Sequence, residues 1–197
     1  MPPKPTILAF DTSAAHCAAA LLSNGKIVSR VEEMSRGQGE RLMVLLEEVL
    51  AENGLTWTDL DALAVGVGPG NFTGIRISVS AARGLALGLG KPAIGVSMFQ
   101  TTQHLANWAQ TAVPAPKDQV YFFDPDKMTT PIQTTLNGEE STIALSSEFD
   151  AAAHVRAIAE IAAEQLARGG DIARPTPLYV RPADAAPPRE KPPVILP

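Results

Sequence analysis

The sequence predicts an α/β fold: a mixed sheet in which an antiparallel three-strand meander is extended by parallel strands with helical crossovers. Three observations carry this. Asn24-Gly25, a strong short hairpin signal, separates the apolar run Cys17 to Leu22 from Lys26 to Glu32, where Ile27 and Val31 are apolar and Arg30 and Glu32 polar. Ala62 to Val67 is a short apolar run of the kind a buried parallel strand shows, and it breaks at Gly68-Pro69-Gly70-Asn71. Past that break, Phe72 to Gly88 reads as a helix rich in Ala, Leu and Ile, with Asn71 at its N-cap.

The other elements follow in order. Thr6 to Phe10 is a short strand ending at Asp11-Thr12-Ser13. Ser35 to Gly39 is a loop leading into a helix, Glu40 to Asn53, stopped by Gly54. Leu42, Leu45, Leu46 and Val49 form its core stripe, which Met43 and Leu50 widen. Ala93 to Val96 is a further buried strand. Ser97 caps a helix running to about Gln110 with Met98, Leu105 and Trp108 inward. Gln119 to Phe123 reads as a strand, and Ile132 to Leu136 and Thr142 to Leu145 as a hairpin around Asn137-Gly138. Asp150 caps a helix, Ala151 to Arg168, ended by Gly169-Gly170. The tail carries a large share of the 17 prolines, so residues from Ala185 on are expected to be extended or disordered.

At 197 residues the chain makes one domain, or one with a fragment of a second, and 45% hydrophobic content is enough for a core. A net charge of −5 argues against a chain that grips nucleic acid alone. The single cysteine, Cys17, excludes an internal disulfide. The start leads straight into a strand-like run and no apolar run is long enough to span a bilayer, so the expectation is a cytoplasmic chain with no membrane role.

The chemistry is concentrated at the glycine break. A strand feeding a helix through glycines leaves free backbone N–H groups that, with the helix dipole, favour an anion such as phosphate. The spacing is neither that of a P-loop nor Gly-x-Gly-x-x-Gly, since the third glycine arrives late, at Gly74. A tight turn with packing glycines stands beside the phosphate reading with equal weight. Asp11 lies at a bend where a carboxylate can hold a metal or a phosphate-bound water, or simply cap the turn. His16, His104 and His154 are too far apart in sequence to suggest a metal site. No nucleophile elbow surrounds Ser78 or Ser80.

Ile7-Leu-Ala-Phe-Asp-Thr-Ser13, Gly66-Val-Gly-Pro-Gly-Asn-Phe-Thr-Gly-Ile-Arg76, Gly84-Leu-Ala-Leu-Gly88, Ile94-Gly-Val-Ser97 and the closing Pro177-Leu-Tyr-Val-Arg181 together resemble the bacterial TsaB family, also called YeaZ. Asn71 stands where that family usually has Ser. The resemblance implies an actin-like, Hsp70-like, sugar-kinase (ribonuclease H-like) lobe over residues 1–110, a shortened second lobe over 111–184, where Pro114 and Pro116 interrupt a strand or push it to an edge, and a Pro-rich tail over 185–197. It implies a non-catalytic subunit in making threonylcarbamoyladenosine on tRNA, with the chemistry on a larger partner, TsaD, and with TsaE as a further partner. It implies a homodimer when the chain is alone, and tRNA contact only through the complex. A small-molecule kinase of the same superfamily and a stand-alone homodimeric binding module are the alternatives.

Residue by residue, the resemblance assigns Asp11, Thr12, Ser13, Gly68, Gly70, Asn71, Thr73 and Gly74 to nucleotide or phosphate contact within the complex. ATP or ADP with Mg is then expected at the partner interface and no cofactor in the isolated chain. It assigns Met43, Leu46, Leu50, Arg76 and Arg83 to the partner surface, and no metal ligand or catalytic residue.

The tail has little apolar surface to bury. Deleting residues 186–197 is therefore expected to shift the melting temperature by no more than about 2 °C. A fall of roughly 10 °C on that truncation, by circular dichroism, would show a docked tail.

Overall fold

The computed structural model describes residues 4–136 and 142–180. The chain opens as expected: β1 (Ile7–Asp11), β2 (His16–Ser23) and β3 (Lys26–Glu33) form an antiparallel meander. Asn24 and Gly25, both at positive φ, make the turn between Ser23 and Lys26. Helix α1 (Gln38–Glu52) leads through a single 3₁₀ turn, Trp57–Asp59, into β4 (Ala62–Gly66). Helix α2 (Phe72–Leu89) and β5 (Ala93–Val96) follow. The sheet order is β3-β2-β1-β4-β5, with β4 parallel to β1 and β5 parallel to β4. Only β2 runs against its neighbours. This is the order of an actin-like, ribonuclease H-like lobe.

Each face of that sheet carries helices because its strands are apolar on both sides. Leu8, Phe10, Leu21, Leu63 and Val65 point toward Leu42, Leu45, Leu46, Val49 and Leu50 of α1 and Ile75, Val79 and Ala82 of α2. Ile7, Ala9, Ala18, Ala20 and Ala64 point the other way, onto Val155, Ile158, Ala159 and Ala162 of α4 (Ala151–Arg168). Burying each Val, Leu, Ile or Phe among these contributes about 1.5–3 kcal/mol before conformational entropy is counted, and each Ala less. Arg41 of α1 clips the helix to the edge strand, donating to both oxygens of Glu32 on β3 and of Glu48 on its own helix. These bonds hold both carboxyls below the usual carboxylate range. Under them, burial pushes the Cys17 thiol up to about 11, a packing residue rather than a nucleophile.

Several expectations for the second half are corrected. Helix α3 (Met98–Ala106) ends at Asn107, which adopts the left-handed conformation, and its buried side chains are Phe99, Thr101 and Thr102; Trp108 is exposed. The strand β6 (Thr111–Ala115) contains Pro114 and is not an edge. It pairs with β7 (Gln119–Phe123) along its length and with β9 (Ala144–Leu145) only at Thr111 and Ala112, so the stretch with Pro114 is paired on one side. The described flanks of the expected hairpin around Asn137-Gly138 pair with other strands and not with each other. β8 (Ile132–Thr134) pairs with β7, while β9 pairs with β6, giving the order β8-β7-β6-β9. Residues 137–141 lie outside the described residues, as does the Pro-rich stretch 185–197.

Helix α4, assigned by sequence to the second lobe, instead packs on the first sheet, because its stripe matches that sheet's bare face. Asp150 caps it, accepting from the Ala153 N–H at 2.7 Å. Among the described residues no helix is long and apolar enough to cross a membrane.

His154 of α4 ties the two halves together. Its Nδ1 meets the Thr101 hydroxyl of α3 at 2.8 Å, and its Nε2–H donates to the Ser146 carbonyl at 2.9 Å. Burial holds its pKa below the usual imidazole value. The unfolded chain therefore takes up this proton first as pH falls through about 6.5, and stability contributed by the neutral ring is lost on the acid side. The melting temperature is expected to drop between pH 7 and 5, and the drop to flatten in His154→Gln; equal slopes in the two proteins would contradict this.

Candidate functional site

The end of β1 and the start of α2 meet face to face. Val67 N–H donates to the Val96 carbonyl, and the chain then leaves the sheet at Gly68, whose φ of 91 turns it toward β1. Asn71 caps α2 as the sequence indicates, its Oδ1 accepting from the Gly74 N–H at 2.9 Å. Its own N–H donates to the Ser13 carbonyl at 2.6 Å. The Thr12 hydroxyl donates to the Gly74 carbonyl at 2.7 Å. The turn after β1 and the glycine loop are thus bonded to each other directly.

Gly74 is required by this contact: a Cβ there would lie 1.9 Å from the Thr12 carbonyl oxygen. Gly70 likewise sits against the Ser13 carbonyl. Gly66, which the sequence did not single out, lies under Asp11, and a Cβ on it would fall 2.0 Å from the carboxylate Oδ1.

Asp11 is 4% exposed. Its Oδ2 accepts from the Ser13 N–H at 3.0 Å and the Ser13 hydroxyl at 2.8 Å, and meets His16 Nε2 at 2.9 Å. Its Oδ1 is buried against Gly66 with no hydrogen-bond partner. Ser13 and His16 both turn to the carboxylate rather than to each other, an arrangement that holds a turn and does not activate a hydroxyl. His16 was not foreseen as a neighbour of Asp11. The signal was its place at the start of β2, two residues before Ala18, which pairs with Asp11 across the 12–15 turn.

All eight expected phosphate residues are therefore brought together. Thr12 and Ser13 are buried, at 0% and 2% exposure, and Gly68, Gly70 and Gly74 serve close packing. Asn71 and Thr73 are exposed. Asp11 does not fit a metal ligand in this arrangement: one of its oxygens is fully engaged and the other is packed against Gly66. Among the described residues no three His, Cys, Asp or Glu side chains are placed to share a metal ion.

An open groove of about 820 Å³ lies against both loops, lined by Ser13, Asn71, Thr73 and Gly74 of the expected phosphate residues and by Arg36 and Gly37 before α1, among others. Helix α1 starts here at Gly37, which is left-handed and offers no side-chain cap. The expected partner residues divide. Leu46 and Leu50 are 0% and 2% exposed and belong to the chain's own core, since both face the sheet; this corrects their assignment to an outer surface. Met43 is exposed, and so, unforeseen, is Val44. Arg76 is exposed but engaged: its guanidinium stacks 3.8 Å from the Phe72 ring centre and donates to the Tyr179 hydroxyl at 2.9 Å. Arg83 is exposed and points away from this cluster, toward the far end of α2.

A family model described as TsaD, tRNA N6-adenosine threonylcarbamoyltransferase, matches residues 28–185. The chain is 42% identical to a tRNA threonylcarbamoyladenosine biosynthesis protein TsaB from Escherichia coli (strain K12), over 48% of this chain and 41% of that protein. It is 37% identical to the TsaB of Haemophilus influenzae, over 59% of this chain and 52% of that protein. The chain thus spans about half the length of these curated relatives. A solved structure of YeaZ from Pseudomonas aeruginosa is 25% identical, with a TM-score of 0.67, covering 84% of this chain and 93% of that one.

The lock between the loops is tested at Gly74. Gly74→Ala is expected to destabilise the fold by about 1–3 kcal/mol in urea denaturation. Gly88→Ala, on the same helix with nothing near the added methyl, is expected to stabilise it by about 0.5–1 kcal/mol. Equal effects would show that the loops can part without cost.

Proposed function

The chain belongs to the TsaD threonylcarbamoyltransferase family as a TsaB/YeaZ-type member, and from that premise we propose that it serves the synthesis of threonylcarbamoyladenosine on tRNA as a non-catalytic scaffold and activator that binds the TsaD transferase. The observation that carries this reading is the contrast between two surfaces. The loops that would cradle a nucleotide are closed on each other by the Thr12–Gly74 and Ser13–Asn71 bonds. The outer face of α1, by contrast, leaves Met43 and Val44 open to a partner.

Charge supports the same face. Glu40 and Glu47 are exposed on α1, and Arg76 in the first half of α2. A two-fold pairing of α1 with α2 sets opposite charges together, which favours a homodimer when the chain is alone. The transferase, built on the same fold, would replace the second copy. TsaE joins that complex, and tRNA is met through it, in keeping with a net charge of −5. ATP or ADP with Mg would sit at the partner interface. This chain's contribution there is the open groove at Arg36 and Thr73, not Asp11. The kinase alternative needs an available carboxylate at Asp11, and the engaged carboxylate weighs against it.

Met43→Glu and Val44→Glu place a charge on the exposed face and leave the core untouched. Both variants are expected to keep the wild-type circular dichroism spectrum and to bind purified TsaD at least about a hundredfold more weakly, an unpaired charge buried only in the complex costing about 3–5 kcal/mol. Unfolded variants, or folded ones that co-elute with TsaD as wild type does, would overturn the assignment.

A further inference from the structure

The far end of α2 carries a second surface, independent of the Met43 face. A groove of about 610 Å³ runs between the last turns of α2, the start of β5 and the segment 172–175 that follows α4. Three cations line it, Arg83, Lys91 and Arg174, drawn from three separate stretches of chain. Among the described residues none of the three side chains has a hydrogen-bond or ion-pair partner, and no carboxylate lines the groove. In a chain of net charge −5, three unpaired positive groups around one groove are a local excess that a negative ligand would relieve. Leu87 stands among them at 84% exposure, the most exposed large hydrophobic side chain of the described residues, over an apolar floor that includes Ile172 and Pro175.

The end of α2 does not account for this. Its Ala86 carbonyl already accepts from both the Gly90 and Lys91 N–H groups, and Arg174 belongs to another segment.

We propose that this groove docks an acidic segment of a partner protein, seating one bulky apolar side chain against Leu87 and pairing carboxylates with Arg83, Lys91 and Arg174. The mixture of cations and apolar floor favours a peptide. A groove for single-stranded nucleic acid would offer an aromatic side chain for base stacking, and none lines this one. The chain's own residues 181–197 are poorly matched, carrying Arg181, Arg189 and Lys191 against Asp184 and Glu190.

Fluorescence anisotropy on the full chain tests this with a labelled octapeptide, four glutamates flanking a central Leu-Phe pair and two glycines at the ends. Controls are the same peptide with glutamine for glutamate and a labelled oligouridylate. The acidic peptide is expected to bind saturably, more weakly as salt rises, and at least about tenfold more weakly to Lys91→Glu/Arg174→Glu. Leu87→Ser is expected to weaken it as well, and the glutamine peptide to bind poorly. Absence of saturable binding up to roughly 1 mM, unchanged binding by the reversed variant, or tighter binding of oligouridylate would overturn the proposal. So would a self-association, seen by sedimentation, that the reversal abolishes, because the groove would then belong to a second copy. Met43 is intact in every variant, so these outcomes are separate from those of the transferase-binding test.

Discussion

The structure depends on the direct bonding of the turn after β1 to the loop before α2. Two short hydrogen bonds, Thr12 to Gly74 and Asn71 to Ser13, join segments some sixty residues apart in sequence. The Thr12–Gly74 bond is buried, so losing its hydroxyl would leave an unsatisfied carbonyl at a cost of about 1–3 kcal/mol. The glycines make the approach possible, and the approach fixes where α2 begins. Asp11 completes the lock from below by holding Ser13 and His16. The stretch that reads in sequence as a phosphate loop or a packing turn is, in the folded chain, bonded directly to the turn after β1.

From this joint the rest is positioned. Helix α2 sets the outer face beside α1, and α4 returns to fill the opposite face of the same sheet. The segment after α4 then crosses from one layer to the other. Pro175 lies against Gly95 of β5, Leu178 donates its N–H to the Val67 carbonyl, and Tyr179 stacks on Phe72 with ring centres 4.8 Å apart. The signature Pro177-Leu-Tyr179 therefore acts as a strap over the end of β4, anchored beside the glycine loop. The second sheet joins through α3, where Phe99 meets Phe123 at 5.5 Å. This layout presents the Met43 face on α1 and the Arg83–Lys91–Arg174 groove at the far end of α2.

The first half of the fold was legible because its signals are local. Asn24-Gly25 sets a turn, Asn71 and Ser97 set caps, and apolar runs mark strands buried on both faces. The second half was less so. Ile132 and Ala144 flank a hairpin-like dipeptide, yet their partners are β7 and β6, a choice made by tertiary pairing that no neighbouring residue encodes. Likewise the stripe of α4 declared an amphipathic helix but not which sheet it would cover. At the site, the sequence brought the right eight residues together but left their use open between phosphate binding and packing. Only distances separate the two, and the geometry at Asp11, Thr12 and Gly74 is that of packing. The stripe of α1 misled in a simpler way: Leu50 lies one turn beyond Leu46 and faces inward with it, while Val44 turns outward.

With these loops bonded to each other, we propose that the isolated chain acts as a docking body rather than as a nucleotide clamp. Isothermal titration of Mg-ATP into the isolated chain tests it most directly. The account expects no saturable heat up to roughly 1 mM nucleotide. One-to-one binding in the micromolar range that Asp11→Asn abolishes, in a variant still folded, would contradict it.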